Sequence, residues 1–334
     1  MTSKLLVIGS NSFTAAHFIH HVLENSDCRI IGISRSPEYD PIFLPYLYCK
    51  QERPSRFAFF QLDVNRDTDK VLALCDEFAP DAVVNFAAQG EVRNSWRWPE
   101  QWYQTNCMAV VRLSEHLRKI DRLQKYVAIS TPEVYGTTGK DVSENHTYRP
   151  STPYAASKLA GDLHLLAMHR RYHFPVTFTR AANVFGIHQQ LYRIIPRTII
   201  YLKLGKKIQL HGQGKTLRSF IPIKEVSDAT FKVLIEGKTG EVYHIAPEGL
   251  PITVASAVNT ICNIMGYQFE ECVELIDEDY GQDEVLSMNS SKIRNELGWK
   301  STISFESGVR ETIQWVEDNW VFIQKQPLEY IHKE

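Results

Sequence analysis

Tyr154 and Lys158 stand four apart in the string STPYAASK (151–158), and a shorter string upstream, STPEVYG (130–136), carries Thr131 and a carboxylate, Glu133. On a helix, a spacing of four puts two side chains on one face. An ammonium held beside a phenol stabilises the phenolate and draws its pKa down from ~10 toward the working pH. A tyrosinate so placed can take a hydroxyl proton while hydride leaves the same carbon, and the lysine can hold a nicotinamide ribose. Thr131 can hydrogen-bond the same hydroxyl. The Tyr/Lys spacing alone arises often by chance; the strand-ending STPEVYG before it gives it weight. Glu133 reads either as a second base or as a surface glutamate following a strand.

Such chemistry needs a dinucleotide, and the elements around these residues suit one. KLLVIG (4–9), RIIGIS (29–34), FAFFQLDV (57–64), DAVVNFAA (81–88), KYVAIST (125–131) and VTFTRAANVFG (176–186) are apolar runs. Amphipathic helical patterns separate them at 13–25, 68–78, 99–120 and 153–172. Continuous apolar strands alternating with helices predict an α/β fold, a Rossmann-type doubly wound parallel sheet covered on both faces. After residue 187 the alternation weakens and glycine and proline punctuate shorter pieces. The expected organisation is a dinucleotide-binding domain over 1–186 and a smaller α/β substrate lobe over 187–334, part of which returns to the main sheet. Residues 36–56 form a long loop whose Tyr39, Phe43, Tyr46 and Tyr48 are expected to pack it onto the body, a place beside the cofactor or at a subunit contact being the alternative.

The first strand–helix turn, Gly9-Ser10-Asn11-Ser12-Phe13-Thr14-Ala15, is where a pyrophosphate would meet a helix N-terminus. The usual glycines at 9, 12 and 15 are here Gly9, Ser12 and Ala15; both replacements are small, and Ser12 adds a hydroxyl. An acidic residue ending the second strand would hold a ribose 2′-OH, but this chain has Ser34-Arg35-Ser36, which suits a 2′-phosphate. NADP is therefore favoured over NAD, with a solvated arginine as the plainer reading of Arg35. Asp63 ends the third strand and could take the adenine amino group or cap a turn. Val64, Ala87, Ala88, Asn106 and Ser130 complete the candidate cofactor residues.

With 334 residues, net charge −2 and 43% hydrophobic content, the chain has no electrostatic footprint for nucleic acid. It has no apolar run of the ~18–20 residues that span a bilayer. No long apolar leader opens it, and Cys28, Cys49, Cys75, Cys107, Cys262 and Cys272 are scattered without metal-ligand spacing. A cytoplasmic enzyme with reduced thiols and no metal site is expected.

Taken together, these strings resemble the extended short-chain dehydrogenase/reductases, specifically the nucleotide-sugar 4,6-dehydratases. NFAAQGEVRNSW (85–96), Thr105-Asn106, STPEVYG, PYAASK, RAANVFGIHQQLYRIIPR (180–197), GQGKTLRSFIPIKEVSDA (212–229) and ELGWKSTISFESGVRETIQW (296–315) fall in the family's order, nearly end to end. The resemblance implies a sequence of steps: Tyr154 deprotonates the sugar 4-OH as hydride leaves C4, the 4-ketone acidifies the C5 proton, Glu133 removes it, water leaves from C6, and hydride returns there. It implies substrate contacts from Arg93, Asn183, Arg193, Arg197 and Arg218, the last as a diphosphate clamp. In the family's dTDP-glucose enzymes an aspartic acid precedes the glutamate and protonates the departing hydroxyl; this chain has Pro132 there, and Glu91 replaces a histidine common in those enzymes. Glu91 argues against dTDP-glucose, and the Pro132 and Arg35 departures favour a GDP- or UDP-linked hexose or N-acetylhexosamine, such as GDP-GlcNAc, in surface-glycan synthesis of the legionaminic acid kind. The resemblance also implies a homodimer through helices near 99–119 and 153–172. A nucleotide-sugar epimerase or C4 dehydrogenase, or a Rossmann protein that binds without turnover, are the rival expectations. A UDP-glucuronate decarboxylase also carries the glutamate, but residues for a C6 carboxylate are not evident.

Overall fold

An apolar strand buried on both faces must feed two cores, and β1 does so residue by residue. The computed structural model describes residues 2–48, 53–139, 141–277 and 283–332. In it, β1 (Lys4–Ile8) sends Leu5 and Val7 into one buried cluster with helix α1 (Phe13–Asn25), and Leu6 and Ile8 into another on the opposite face. The strands β2 (Arg29–Ser34), β3 (Phe57–Gln61), β4 (Ala82–Asn85), β5 (Lys125–Ile129) and β6 (Val176–Ala181) join it. With the strand Val242–Ile245 they make a seven-stranded sheet in the order Val242–Ile245, β6, β5, β4, β1, β2, β3. Its pairs are all parallel. The order runs one way from β1 to β3 and the other way from β4, so a crevice opens beyond the carboxyl ends of β1 and β4, where such sheets bind ligands.

The helix Ile223–Glu236 shares the α1 cluster through Val226, Ala229 and Val233, and the strand after it pairs with β6. The helices Ile194–Lys203, Val254–Met265 and Phe305–Asp318 build a separate cluster that includes Ile195, Ile199, Ala257, Ile261, Val309 and Val316. Short strands lie against it, Ile208–His211 pairing in parallel with Val273–Ile276. Cys28, Cys75, Cys107, Cys262 and Cys272 are free thiols, while Cys49 lies outside the described residues. Among the described residues no helix is long and apolar enough to cross a membrane.

Two elements differ from the sequence expectation. The pattern over 99–120 suggests one helix, but the chain forms Pro99–Tyr103, a π-helical turn Gln104–Met108, and Ala109–Leu117. Periodicity cannot register the residue that a π-turn adds. Residues 36–48 of the expected loop are also more ordered than its length suggests: two 3-10 turns, Pro41–Phe43 and Pro45–Tyr48, follow Asp40, whose carboxylate accepts from the Ile42 N–H at 3.0 Å. Tyr46 is fully buried, with its hydroxyl donating to Glu38, and Phe43 packs partly; Tyr39 packs against the core around α1 and also lines the crevice, while Tyr48 is exposed.

Histidines tie this loop to the body. His17 on α1 is buried with Nε2 bonded to the Ile187 carbonyl at 3.0 Å; His188, 5.3 Å away ring to ring, has Nδ1 bonded to the Ile42 carbonyl at 2.6 Å. Burial, then each other's charge for His17, holds both below the usual imidazole range; burial does the same to His20 and His21. Below pH ~6.5 the unfolded chain binds protons that the folded chain refuses. Thermal stability should therefore hold steady above pH 7 and fall as the pH drops from 6.5 through the depressed folded values. A His17→Gln variant should flatten that fall in a melting-temperature series.

Candidate active site

Beyond the carboxyl ends of β1 and β4 lies a cleft of about 1620 Å³, bounded by both halves of the chain. Gly9, Asn11, Ser12, Phe13 and Thr14 line it at the N-terminus of α1. Gly9 has φ +80°, and a Cβ there would lie 2.7 Å from the Ala87 backbone nitrogen. This is why a glycine stands at this one position while Ser12 and Ala15 serve at the others. Ser12 caps α1 by accepting from the Ala15 N–H at 3.3 Å. Ser10 is buried beneath the turn and does not line the cleft. The buried Asn11 amide donates to the Ser36 and Pro37 carbonyls, tying the turn to the end of β2, while its Oδ1 has no protein partner. Ser34, Arg35 and Ser36 line the cleft past β2, as do Val64, Ala87 and Ala88. Asp63 lines it too, and its Oδ1 caps the following turn by accepting from the Asn65 N–H at 2.7 Å. A helix N-terminus without acidic residues in its first turn and a backbone cradle that a Cβ would fill fit a dinucleotide pyrophosphate, while the orphaned Asn11 oxygen, an acceptor, fits a donor such as a ribose hydroxyl.

The reactive centre is assembled by two capped helix starts. Thr152 caps the helix Pro153–Tyr172, with Pro153 in its first turn, so Tyr154 stands at the helix entrance and Lys158 one turn deeper. Thr131 follows β5 and caps the 3-10 turn Pro132–Tyr135. Pro132 occupies the first position of that turn, where its fixed φ is pre-organised and its missing N–H costs nothing. Thr131 Oγ1 donates to Glu133 Oε2 at 2.9 Å, and Thr131 also draws the Tyr154 phenol down. The threonine, the phenol and the carboxylate all line the cleft with Ser130, Pro132 and Lys158. Burial pushes the Glu133 carboxyl up, against the pull of Thr131, Arg218 and Arg193. Burial and then the Glu133 charge push the Tyr154 phenol well up. The expectation that Lys158 lowers Tyr154 needs correcting: its ammonium donates to the Ile129 carbonyl at 2.7 Å, and the groups that draw the phenol down are Thr131 and Arg193. Burial lowers Lys158 itself, with Asp162 opposing.

On the far side, Arg93, Asn183, Arg193 and Arg197 line the cleft. Arg218 does not. It is buried, donates to its neighbour Leu217's carbonyl at 2.8 Å and borders a separate cavity of about 370 Å³; its charge still favours ionised Glu133. Asn106 is not in the cleft either. It sits in the π-turn, 1% exposed, accepting from the Gln89 N–H at 2.9 Å and donating to Ser157 Oγ at 2.9 Å. Gly161 lets this turn close on the Pro153–Tyr172 helix, because an added Cβ would collide with the Asn106 carbonyl. Asn106 therefore fixes the helix that carries Tyr154.

The sequence profile described as GDP-mannose 4,6 dehydratase matches residues 6–312. The chain belongs to this dehydratase family. A dTDP-glucose 4,6-dehydratase of Haemophilus influenzae is 28% identical over 338 residues, covering 93% of this chain and 97% of that protein. A dTDP-glucose 4,6-dehydratase from Streptomyces venezuelae, solved with NAD bound, superposes with a TM-score of 0.87 at 27% identity, covering 96% of this chain and 98% of the other. A UDP-glucuronic acid 4-epimerase from Bacillus cereus, solved with UDP-glucuronic acid and NAD, gives a TM-score of 0.85 at 25% identity, covering 94% and 99%. The chain is thus a member of an enzyme family, with the Rossmann-type sheet of its relatives.

In this dehydratase-family chain, several cleft residues carry no sequence signal. Asn65 and Tyr330 line the cleft from loops without a motif, and Gln189 and Tyr192 line it from the 180–197 string without having been singled out. Asp283 raises Glu133 from beneath, its Oδ1 accepting from Ser151 Oγ at 2.8 Å and Thr137 Oγ1 at 3.2 Å. Behind Ser130 lies a buried charge pair: Ser130 Oγ donates to Asp162, and Arg180 Nη2 donates to Asp162 Oδ2 at 3.1 Å. The Arg180 guanidinium lies 4.9 and 5.0 Å from the centroids of the Tyr135 and Tyr148 rings, which stack on each other at 5.7 Å. Arginine only donates, so the Tyr135 oxygen accepts from it and the phenol turns its proton to His244 Nε2 at 2.7 Å. The imidazole proton then sits on Nδ1 and is donated to the Asn289 carbonyl at 3.1 Å. Burial and Arg180 push His244 down to about 3. Asp162→Asn leaves Arg180 buried without its counter-charge and should cost about 3–5 kcal/mol in urea unfolding.

Proposed function

We propose that the protein is a nucleotide-sugar 4,6-dehydratase that converts an NDP-hexose or NDP-N-acetylhexosamine to its 4-keto-6-deoxy product. The observation that carries this reading is Tyr154, Thr131 and Glu133 together in one cleft, with the Thr131 hydroxyl donating to the Glu133 carboxylate. A bound nicotinamide dinucleotide would supply the acceptor for hydride from C4 and its return to C6, and, when oxidised, a positive charge that favours a nearby phenolate. Gly9, Asn11, Ser12, Phe13, Thr14, Arg35, Asp63, Val64, Ala87 and Ala88 would hold it, with Lys158 at the ribose. Tyr154 removes the 4-OH proton, Thr131 orients that hydroxyl, and Glu133 takes the C5 proton made acidic by the 4-ketone. Glu133 then returns the proton to the C6 hydroxyl as it leaves, because Pro132 has none to give, and C5 takes a proton that comes from solvent when hydride returns to C6. The arginines at 93, 193 and 197, with Asn183, hold the diphosphate and sugar.

Two departures support a GDP- or UDP-linked substrate: Pro132 in place of an acid and Glu91 in place of a histidine. Ser34, Arg35 and Ser36, without a carboxylate, support NADP, although the two solved relatives named above carry NAD. Cofactor released from denatured protein should be mainly NADP(H); mainly NAD(H) would reverse that assignment. Exposed Tyr103, Met108 and Leu163 on the 99–117 and 153–172 segments support pairing of two copies. Incubation with GDP-, UDP- and dTDP-linked sugars and mass detection of water loss tests the whole reading. A 4-epimerase would use Tyr154, Thr131 and Lys158 equally well but needs no C5 base, and Glu133 in the cleft favours the dehydratase.

A further inference from the structure

One wall of the cleft comes from a segment that no motif marks. Leu328, Tyr330 and His332 are half-buried while Pro327, Glu329 and Ile331 are exposed, the alternation of an extended segment laid with one side on the protein. Its far end is anchored by His332. That ring stacks on Trp98, with centroids 4.6 Å apart and planes 8° apart, and on Trp102 at 5.6 Å and 6°. His332 Nε2 is also bonded to Gln101 Oε1 at 2.7 Å. Trp102 is fully buried, so the anchor reaches the rigid body of the fold. Between anchor and body, Leu328, Glu329 and Tyr330 line the cleft, and the Tyr330 ring meets Tyr192 edge-on at 5.3 Å and 75°. Burial, Tyr192 and Glu91 push the Tyr330 phenol up, while Arg35 and Arg193 draw it down. Tyr330 therefore stands where the dinucleotide half, with Arg35 and Glu91, faces the substrate half, with Tyr192 and Arg193.

We infer that residues 328–332 form the outer wall of the nucleotide-sugar pocket and that Tyr330 contacts the substrate's nucleoside diphosphate. A phenol beside a guanidinium suits that group. Arg193 supplies charge, the hydroxyl supplies a neutral donor to a phosphate oxygen, and the paired rings exclude water, which strengthens both. The inference rests on the dehydratase reading for the identity of the ligand, but not for its test.

The test is calorimetric titration of the cofactor-loaded protein with dTDP, UDP and GDP, comparing wild type, Tyr330→Phe, Tyr330→Ala and a chain ending at Pro327. For the diphosphate that binds wild type best, loss of a hydrogen bond to a charged group should weaken Tyr330→Phe by about tenfold or more, and the other two by more still. Cofactor content and melting temperature should stay at wild-type values in Tyr330→Phe, and KM should rise with kcat nearly unchanged. Affinities within twofold of wild type in the folded variants, loss of cofactor in place of diphosphate affinity, or no diphosphate binding by wild type would each overturn the inference. Diphosphate binding requires no turnover, so a wild-type protein that binds but releases no water from any sugar contradicts the dehydratase reading and leaves the wall intact.

Discussion

Glu133→Gln should oxidise its substrate at C4 and go no further. The amide keeps the size of the side chain and can still meet Thr131, whose hydroxyl now donates to Glu133 Oε2 at 2.9 Å. It cannot accept the C5 proton. Loss of a positioned acid–base group costs ~10²–10⁴ in rate, so rapid-quench samples should contain a 4-keto sugar that still bears its C6 hydroxyl, with little dehydrated product. The pH dependence gives a second signature. Burial raises the Glu133 carboxyl above the ordinary glutamate range. The group works as a base only when ionised, so elimination in the wild type should rise with pH through a limb above ~4.3. That limb should vanish in the variant. Removing the Glu133 charge also removes one of the two main influences that push Tyr154 up, so C4 oxidation in Glu133→Gln should reach half its maximum at a lower pH than in wild type. A variant that dehydrates at the wild-type rate contradicts the role assigned to Glu133.

Tyr154→Phe should fail one step earlier. Hydride cannot leave C4 unless the 4-OH gives up its proton, and the phenyl ring has nothing to receive it. The expected loss is again ~10²–10⁴, now in C4 oxidation itself, with no 4-keto sugar trapped. Nucleotide-sugar affinity should change little, because the residues proposed to hold the diphosphate, Arg93, Arg193 and Arg197, line the cleft apart from Tyr154's phenol. The two variants therefore separate cleanly: an oxidised, undehydrated sugar from one and unchanged substrate from the other. If Tyr154→Phe accumulates the 4-keto sugar, the proton leaves through another group and the assignment of the phenol is wrong.

What could be read from the chain beforehand follows the range of the interactions concerned. The sheet was legible because β1 to β6 are continuous apolar runs, most of them buried on both faces; the edge strand β3 leaves Ala58, Phe60 and Gln61 exposed. Tyr154 and Lys158 were legible because a helix fixes their shared face, and Thr131 with Glu133 because both lie at one strand end. What Lys158 does was not legible: its partner is the Ile129 carbonyl, a backbone atom on another element. Asn106 looked like a site residue, but the π-turn directs it inward against Gln89 and Ser157. Ser10 and Arg218 carry polar groups at motif positions yet lie beneath the surface of the cleft. The wall at 328–332 left no trace in any local pattern, because its anchor pairs His332 with Trp98 and Trp102, far away in the chain. The Asp162–Arg180 pair was hidden for the same reason: each charge lies in an otherwise ordinary element, and only the packing of β6 against the Pro153–Tyr172 helix brings them within 3.1 Å.

The central claim is that a carboxylate in the cleft strips C5 after C4 has been oxidised. Running the reaction in deuterium oxide with the nucleotide sugar that the protein accepts tests it directly. The account predicts a product lacking the elements of water, with a C6 methyl group and solvent deuterium at C5. A product that keeps its C6 hydroxyl, is inverted at C4 and carries no deuterium at C5 would contradict it.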